Sequence, residues 1–272
     1  MINKYTYNEK LYAETIEKHG FQSKFLKYEI IIMCKYFRSL GNTRSQTKDL
    51  IYKFCEDNLL GFRRENYFQI INRALEVSGK KNNKLIIIES VKISDREMDY
   101  IKGLLTSDEN KKVVLALLVK NKLERTKQII NNGEYKGFNY FSGNKAQYGE
   151  LHKMANLPNK CKINDCIYEL DELGVVESKM KGKIKLKFIE EIEESDNYVL
   201  EIKQFWNIGL YFDKYNGDKK IKECDVCGEI FKITNIKNTS QKFCKECSIE
   251  KQRESDRIYQ QKKYNEQFLD RA

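Results

Sequence analysis

The chain of 272 residues contains a single proline and 14 glycines, and its apolar runs are short. This composition excludes collagen-like and proline-rich chains. The longest apolar runs, such as 113–119 and 30–34, are far shorter than the roughly 20 residues that cross a bilayer. We therefore expect no association with a membrane. Residues 1–20 lack an uninterrupted apolar signal-peptide core, which predicts a cytoplasmic protein.

Residues that carry common enzymatic chemistry are also scarce. The two histidines, His19 and His152, leave histidine-dependent hydrolysis with one isolated side chain. The sequence has no GxxxxGK[ST] loop for nucleotide phosphates. Asp171, Glu177 and Lys179 have the spacing of a metal-dependent nuclease core, but this motif falls across a predicted helix end and hairpin. The sequence therefore favours a protein that is not an enzyme.

The residues that are present predict a folded, basic protein. Hydrophobic residues make up 40% of the chain and aromatic residues 12%, which is too much for a disordered polyelectrolyte. Lysine and arginine exceed aspartate and glutamate by 50 to 40, and this net charge of +10 points to a polyanionic partner. Residues 189–218 are the exception, because they are rich in acidic side chains. We expect this segment to be a solvated connection or a surface that faces a partner.

Apolar periodicity predicts a mostly helical domain over residues 1–107. Helices are expected over 25–37, from Thr43 to Cys55, and from Glu65 to Val77, followed by a short strand within 85–93. Such a domain fits either a small DNA-binding unit or a scaffold for assembly. In the first case its basic surface would include Lys80, Lys81 and Lys84.

Two capping signals follow this strand. Ser94 with Glu97 has capping-box spacing, and Ser107 is expected to cap the next helix. The apolar face of that helix, from Val113 to Leu118, predicts either core packing or a dimer interface. A homodimer therefore remains open from the sequence.

The middle of the chain predicts two helices and a hairpin. A helix from Ala146 to Ala155 is expected to end in a turn at 156–159, and the next helix to begin near Ile163. Gly174 stands where a left-handed cap belongs. Residues 175–188 then predict a strand, a basic hairpin tip and a second, alternating strand.

This stretch, from Ala146 to Phe188, resembles the winged helix-turn-helix superfamily. The resemblance implies double-stranded DNA binding, with base or phosphate contacts from the start of the second helix and backbone contacts from the wing. The corresponding residues are Lys160, Lys162, Asn164, Lys179, Lys181 and Lys183. Acidic residues follow on the same helix, so that only its first turn could enter a groove. The alternative use of such a module is protein docking.

The eight cysteines include two CxxC pairs near the C-terminus, Cys224 with Cys227 and Cys244 with Cys247. In a reducing compartment this spacing predicts one structural zinc ion held by four thiolates. A redox-active pair of cysteines and an iron–sulfur cluster are less favoured interpretations of this spacing. The other cysteines are most simply buried thiols. Cys161 and Cys166 leave a second metal site open.

Residues 222–268 resemble a treble-clef or zinc-ribbon finger of the kind found in phage and mobile-element proteins. We expect 229–233 and 241–243 to pair as a hairpin whose aromatic residues cover the metal. A helix should follow from Ser248 to Phe268. On it, Arg253 and Arg257 could bind nucleic acid, although neighbouring acidic residues fit a solvated helix equally well.

Taken together, the sequence predicts a mainly α-helical α+β protein with three parts. These are a helical domain (1–107), a winged-helix domain with an acidic C-terminal segment (108–212) and a zinc finger with a long terminal helix (219–272). The expected function is DNA binding in transcription regulation or in replication of a phage or mobile element. The alternative is an adaptor or inhibitor that docks on a host protein and uses the acidic segment as part of its grip.

Overall fold

The computed structural model describes residues 5–137, 139–179, 183–192, 195–233 and 240–269, with the backbone alone for 261–269. In this part of the chain, eleven helices and seven short strands form a mainly α-helical α+β protein, as predicted. The helices are α1 Glu9–His19, α2 Leu26–Ser39, α3 Arg44–Asn58, α4 Arg64–Ser78, α5 Asp95–Gly103, α6 Asp108–Asn132, α7 Lys145–Met154, α8 Ile163–Glu172, α9 Phe188–Glu191, α10 Ile208–Tyr215 and α11 Lys245–Leu269. The strands are β1 Val91–Ser94, β2 Tyr140–Ser142, β3 Val176–Ser178, β4 Lys183–Leu186, β5 Tyr198–Ile202, β6 Ile221–Glu223 and β7 Ile230–Lys232.

Helices α1 to α4 form a bundle around their own apolar interior. Its centre includes Ile32, Ile51 and Leu75, which are almost fully buried. The predicted helices are confirmed as α2, α3 and α4, and a capping box at Thr43 fixes the start of α3. Helix α1 was not predicted, because charged residues, most of them exposed, interrupt its apolar positions.

The strand predicted within 85–93 is observed only in its last part, as β1, which begins at Val91. It pairs antiparallel with β5, and Asn8 forms an isolated bridge with Ile87. The side chains of Ile88 and Ile93 join the central apolar core. Residues on both sides of position 107 therefore pack in one interior, while the three-part division of the chain stays a prediction.

Helix α6 is the axis of this central core. Ser107 accepts a hydrogen bond from the Asn110 amide and caps the helix, as expected. Every residue from Val113 to Val119 is buried within the chain itself. This apolar face, for which the sequence left a dimer interface open, serves the internal core. The capping box at Ser94 and Glu97 is also confirmed, at the start of α5.

Three short strands form a sheet beside α7 and α8. Strand β4 lies between β2 and β3 and is antiparallel to both. The predicted helices and the predicted pair of strands are present, and Gly174 has the left-handed φ of 72° expected of a cap. Strand β2 was not predicted, because three residues are too few to show a period of two.

The expectation that 189–218 forms a solvated connection is wrong for its apolar residues, whereas Glu190, Glu191 and Asp196 are exposed and the alternative of a surface that faces a partner stays a prediction. This segment contains β5 and the buried helix α10, whose residues Ile208 and Phe212 belong to the central core. Lys112 on α6 forms an ion pair of 2.6 Å with Asp213 on α10. The apolar residues between the acidic side chains determine the fold here, and net charge alone gives no sign of them.

The hairpin near the C-terminus also differs from its prediction. Strand β7 pairs with β6, before the first CxxC pair, rather than with residues 241–243. Ile221 and Ile230 extend from this hairpin into the central core. The buried Gln204 side chain accepts a hydrogen bond of 2.8 Å from the Ile230 amide. The hairpin is thereby attached to the centre of the protein.

Candidate metal centre and nucleic-acid interface

Four cysteines converge from two local structures. Cys224 and Cys227 lie in the turn of the β6–β7 hairpin, whereas Cys244 directly precedes α11 and Cys247 lies in its first turn. The turn is closed by hydrogen bonds of 2.8 Å from the Cys224 amide to the Glu229 carbonyl and from the Gly228 amide to the Cys224 carbonyl. Gly228 has a φ of 69°, a left-handed conformation that favours glycine.

The distances between the sulfurs fit a single metal ion. All four Sγ atoms lie within 4.8 Å of one another, and Cys227 Sγ is 3.7 Å from Cys244 Sγ. A tetrahedral ion with metal–sulfur bonds of about 2.3 Å would separate its sulfurs by about 3.8 Å. The predicted ligand set is therefore brought together, and it could hold one ion.

The protonation of these thiols also favours a cation. Burial raises the pKa of Cys224, but hydrogen bonds from the backbone amides of Cys227, Cys244 and Val226 outweigh it and lower the pKa to about 6. Burial raises the pKa of Cys247 to about 11, with the thiols of Cys244 and Cys224 raising it further and that of Cys227 lowering it. Burial likewise raises the pKa of Cys227. Cys224 thus forms a thiolate readily, whereas Cys227 and Cys247 resist ionisation unless a metal ion replaces their protons.

Among the residues that the structure describes, little apolar packing surrounds the cluster. Its interior consists of the buried sulfurs of Cys224, Cys244 and Cys247, with the half-buried rings of Phe231 and Phe243 beside them. Both rings were predicted to cover the metal. Because so few apolar groups are buried here, bonds to an ion would have to supply much of the local stability.

The residues predicted to contact DNA from the second helix are exposed at the start of α8. Lys160 and Lys162 precede the helix, and Asn164 lies in its first turn. Within the described residues, none of these three side chains has an ion-pair or hydrogen-bond partner. No side chain caps the first amides of α8. This helix end therefore combines two unpaired lysines with the partial positive charge of a helix N-terminus.

The hairpin between β3 and β4 provides less free positive charge than predicted. Lys179 forms an ion pair with Glu177 on the same hairpin. Lys183 is exposed, and no described residue pairs with its side chain. Lys181, the predicted centre of the wing, lies outside the described residues. Of the lysines predicted to contact DNA from the described part of the hairpin, Lys183 is thus the one whose side chain has no ion-pair partner.

Three of the four acidic side chains on α8 are engaged by the protein. Glu169 accepts a hydrogen bond of 2.5 Å from the Asn110 side chain, and Asp171 accepts one of 3.2 Å from the Ser178 amide. Glu172 accepts a hydrogen bond of 2.7 Å from the Tyr168 hydroxyl. Asn110 lies 59 positions from Glu169, so no local pattern in the sequence could have identified this contact.

Arg253 and Arg257 lie apart from these elements in sequence, on α11. Every described side chain from Ser248 to Gln260 is exposed. Gln252 and Asp256 form a hydrogen bond of 2.9 Å along the same helix. These features fit a solvated helix and a helix that contacts nucleic acid equally well. The sequence left the same two alternatives open.

The remaining thiols do not form a second cluster of metal ligands. Cys161 Sγ lies 3.4 Å from Cys166 Sγ, and burial raises the pKa of Cys166 to about 12. Among the described residues, no histidine, cysteine or acidic side chain joins this pair to make a group of three. A second metal site of the usual three or four ligands is therefore not formed here.

The chain matches no protein-family model, and no curated protein or solved structure was found to be similar to it. Among the helices of the described ranges, none combines the length and the apolar character needed to cross a membrane.

Proposed function

We propose that the four cysteines hold one structural zinc ion. A set of four thiolates matches the preference of zinc for soft ligands in a closed tetrahedral shell, which leaves no open position for catalysis. The β6–β7 turn and the first turn of α11 supply the ligands in pairs, an order that supports the resemblance to a treble-clef finger. In this proposal the zinc ion fixes the direction of α11.

We further propose that the protein binds double-stranded DNA without catalysing a reaction, and that it acts in transcription or in replication of a phage or mobile element. The observation that carries this proposal is the arrangement around α8. Its order of α6, β2, α7, α8, β3 and β4, with β4 between β2 and β3, supports a winged helix. Lys160 and Lys162 are unpaired where such a module meets DNA.

The physical basis of binding would be phosphate contact at the start of α8. The amide end of a helix carries a partial positive charge of about 0.5, and the adjacent lysines add to it. Lys183 on the hairpin would contact the backbone beside it. Asp165 is the acidic residue of the first turn with no described partner, and it would weaken contacts deeper in the groove.

The test is DNA affinity measured by fluorescence anisotropy with a pool of random short duplexes, over a range of salt concentrations. Lys160→Gln combined with Lys162→Gln should weaken binding and reduce the slope of log affinity against log salt by about 1.8, because about 0.9 is lost per phosphate contact. The matched control is Lys24→Gln with Lys53→Gln, which removes the same charge from exposed positions elsewhere. An equal loss in both double variants would contradict a role for α8.

The wild-type protein provides the second outcome of this experiment. If it binds no duplex at low salt while a pull-down recovers a defined host protein, the proposal of DNA binding fails. The protein-docking alternative would then account for the same exposed residues.

A further inference from the structure

A second basic site lies far along the sequence from α8, in a cavity where three helices end. The last turns of α2, α4 and α6 surround a space of about 560 Å³. Five of the lining residues are cationic, and no acidic residue lines the cavity in the described part of the chain. The cationic residues are Lys35, Arg38, Lys80, Lys81 and Lys84.

One of these five charges is already compensated. The buried Lys35 Nζ lies 3.0 Å from both carboxylate oxygens of Glu9, and Glu9 also accepts a hydrogen bond of 2.9 Å from the Ile86 amide. The other four cations have neither an ion-pair partner nor a side-chain hydrogen bond among the described residues. Four positive charges thus face one cavity without a compensating carboxylate.

The helix ends compensate part of this charge. Each helix C-terminus carries a partial charge of about −0.5, so the three ends together offset about 1.5 of the four positive charges. The cavity therefore retains a clear excess of positive charge. The hydroxyl groups of Ser39 and Ser78 donate to carbonyls of their own helices, and the side-chain amide of Asn83 donates to the Val77 carbonyl. The donors left for a ligand belong mainly to the cations.

The position of Arg38 depends on a glycine. A Cβ atom at Gly79 would lie 2.3 Å from Arg38 Nη1. Gly79 has φ −85° and ψ −8°, a conformation open to any residue, so the backbone itself does not require glycine here. The missing side chain leaves the space in which the guanidinium lies. A planar guanidinium with free donors suits the paired oxygens of a phosphate group.

We propose that this cavity binds phosphate groups that carry two or more negative charges. Leu85 is the large apolar side chain in the lining, and no aromatic ring lines the cavity in the described residues. Recognition therefore rests on charge rather than on stacking with a base. The groups can come from a free polyphosphate compound or from a nucleic-acid backbone, and pyrophosphate is the smallest probe with the required charge.

The experiment measures pyrophosphate binding to the full chain by isothermal titration calorimetry at low salt. Arg38→Gln with Lys81→Gln should weaken binding about tenfold or more, because two charge-assisted contacts are lost. Gly79→Ala should also weaken binding, although it removes no charge, because it displaces the guanidinium. The matched control, Lys53→Gln with Arg63→Gln, removes the same charge from the bundle surface and should bind as the wild type does.

Circular dichroism establishes that each variant is folded before titration. A wild-type protein that binds no pyrophosphate, or a control as weak as the cavity variant, would overturn the proposal. Competition then identifies the source of the phosphate. Displacement of pyrophosphate by a short duplex assigns the cavity to a nucleic-acid backbone, whereas persistence of pyrophosphate binding assigns it to a free polyphosphate.

Discussion

The helical bundle of α1–α4 and the four-cysteine region both contain cysteines, but they surround the sulfur differently. In the bundle, Cys34 and Cys55 are fully buried among apolar side chains, and burial raises the pKa of each thiol to about 12. In the four-cysteine region, backbone amides donate to Cys224 and lower the pKa of its thiol. The same side chain is therefore a neutral core residue in one region and a candidate metal ligand in the other.

The two regions also differ in what stabilises them. Fourteen buried residues form the interior of the bundle in the described structure, and burial of apolar area can stabilise it without a cofactor. The four-cysteine region has three buried sulfurs and two half-buried rings. This difference indicates that the bundle depends on packing, whereas the small region would need the bonds to an ion that its four cysteines could supply.

Metal removal should have the largest effect on this comparison. Structural zinc contributes about 10–16 kcal/mol of apparent binding free energy in small fingers, and folding of the local structure is coupled to it. Cys244→Ser with Cys247→Ser should therefore abolish metal binding and expose the amides of 224–229 and 241–250 to rapid hydrogen exchange, whereas β6 and β7 should stay protected because Ile221 and Ile230 pack in the central core. The amides of the bundle should keep their protection. Metal content by mass spectrometry and hydrogen exchange together test this prediction.

The control for this variant is Cys161→Ser, which removes a thiol outside the cluster. It should retain one metal ion per chain and normal exchange in the C-terminal region. Loss of metal from this control, or an ordered C-terminal region in the metal-free double variant, would contradict the comparison.

Truncation of the bundle core should have a smaller effect, and a different one. Leu75 is 1% exposed, so Leu75→Ala should lower the free energy of unfolding by about 2–5 kcal/mol through lost packing and a cavity. Urea unfolding followed by circular dichroism measures this change, and metal content should stay the same. Leu60→Ala removes an equally large side chain from a fully exposed position and should change stability by less than about 0.5 kcal/mol.

Local signals in the sequence predicted the local structure well. The capping residues Thr43 and Ser94, the turn after α7 and the two CxxC pairs all depend on neighbours within a few positions. The features that were missed depend on which strands pair with each other. Strand β2 exists through β4, and β7 pairs with β6 instead of the following segment. A short strand has no periodicity of its own, so its partner determines it.

The same distinction applies to the candidate sites. The spacing of four cysteines identifies their convergence, because each CxxC pair forms within one turn. The cavity around Arg38 combines the ends of three helices that are far apart in sequence, so no motif marks it. The sequence predicted that the acidic side chains of α8 would oppose DNA. It could not show that Asn110 donates a hydrogen bond to Glu169, because this contact forms only when α6 packs on α8.

An alkaline pH should act gradually rather than all at once, with opposite signs in the two regions. Cys34 and Cys55 ionise near pH 8.5 when unfolded but only near pH 12 when folded, so the folded bundle retains protons that the unfolded chain loses. This contribution is fully present below about pH 8.5 and declines as the pH rises, by on the order of 1 kcal/mol per pH unit for each thiol. Metal binding should instead strengthen, because the ligands must be deprotonated.

Urea unfolding between about pH 8.5 and 10 measures the first effect, and competition with a chromogenic chelator measures the second. Cys34→Ala with Cys55→Ala should reduce the pH dependence of unfolding, while the tyrosines of the bundle titrate alike in both proteins. An unchanged pH dependence in this variant would show that the two buried thiols do not carry the effect. Metal release at alkaline pH would show that the four cysteines bind no ion as thiolates, and the contrast between the two regions would be lost.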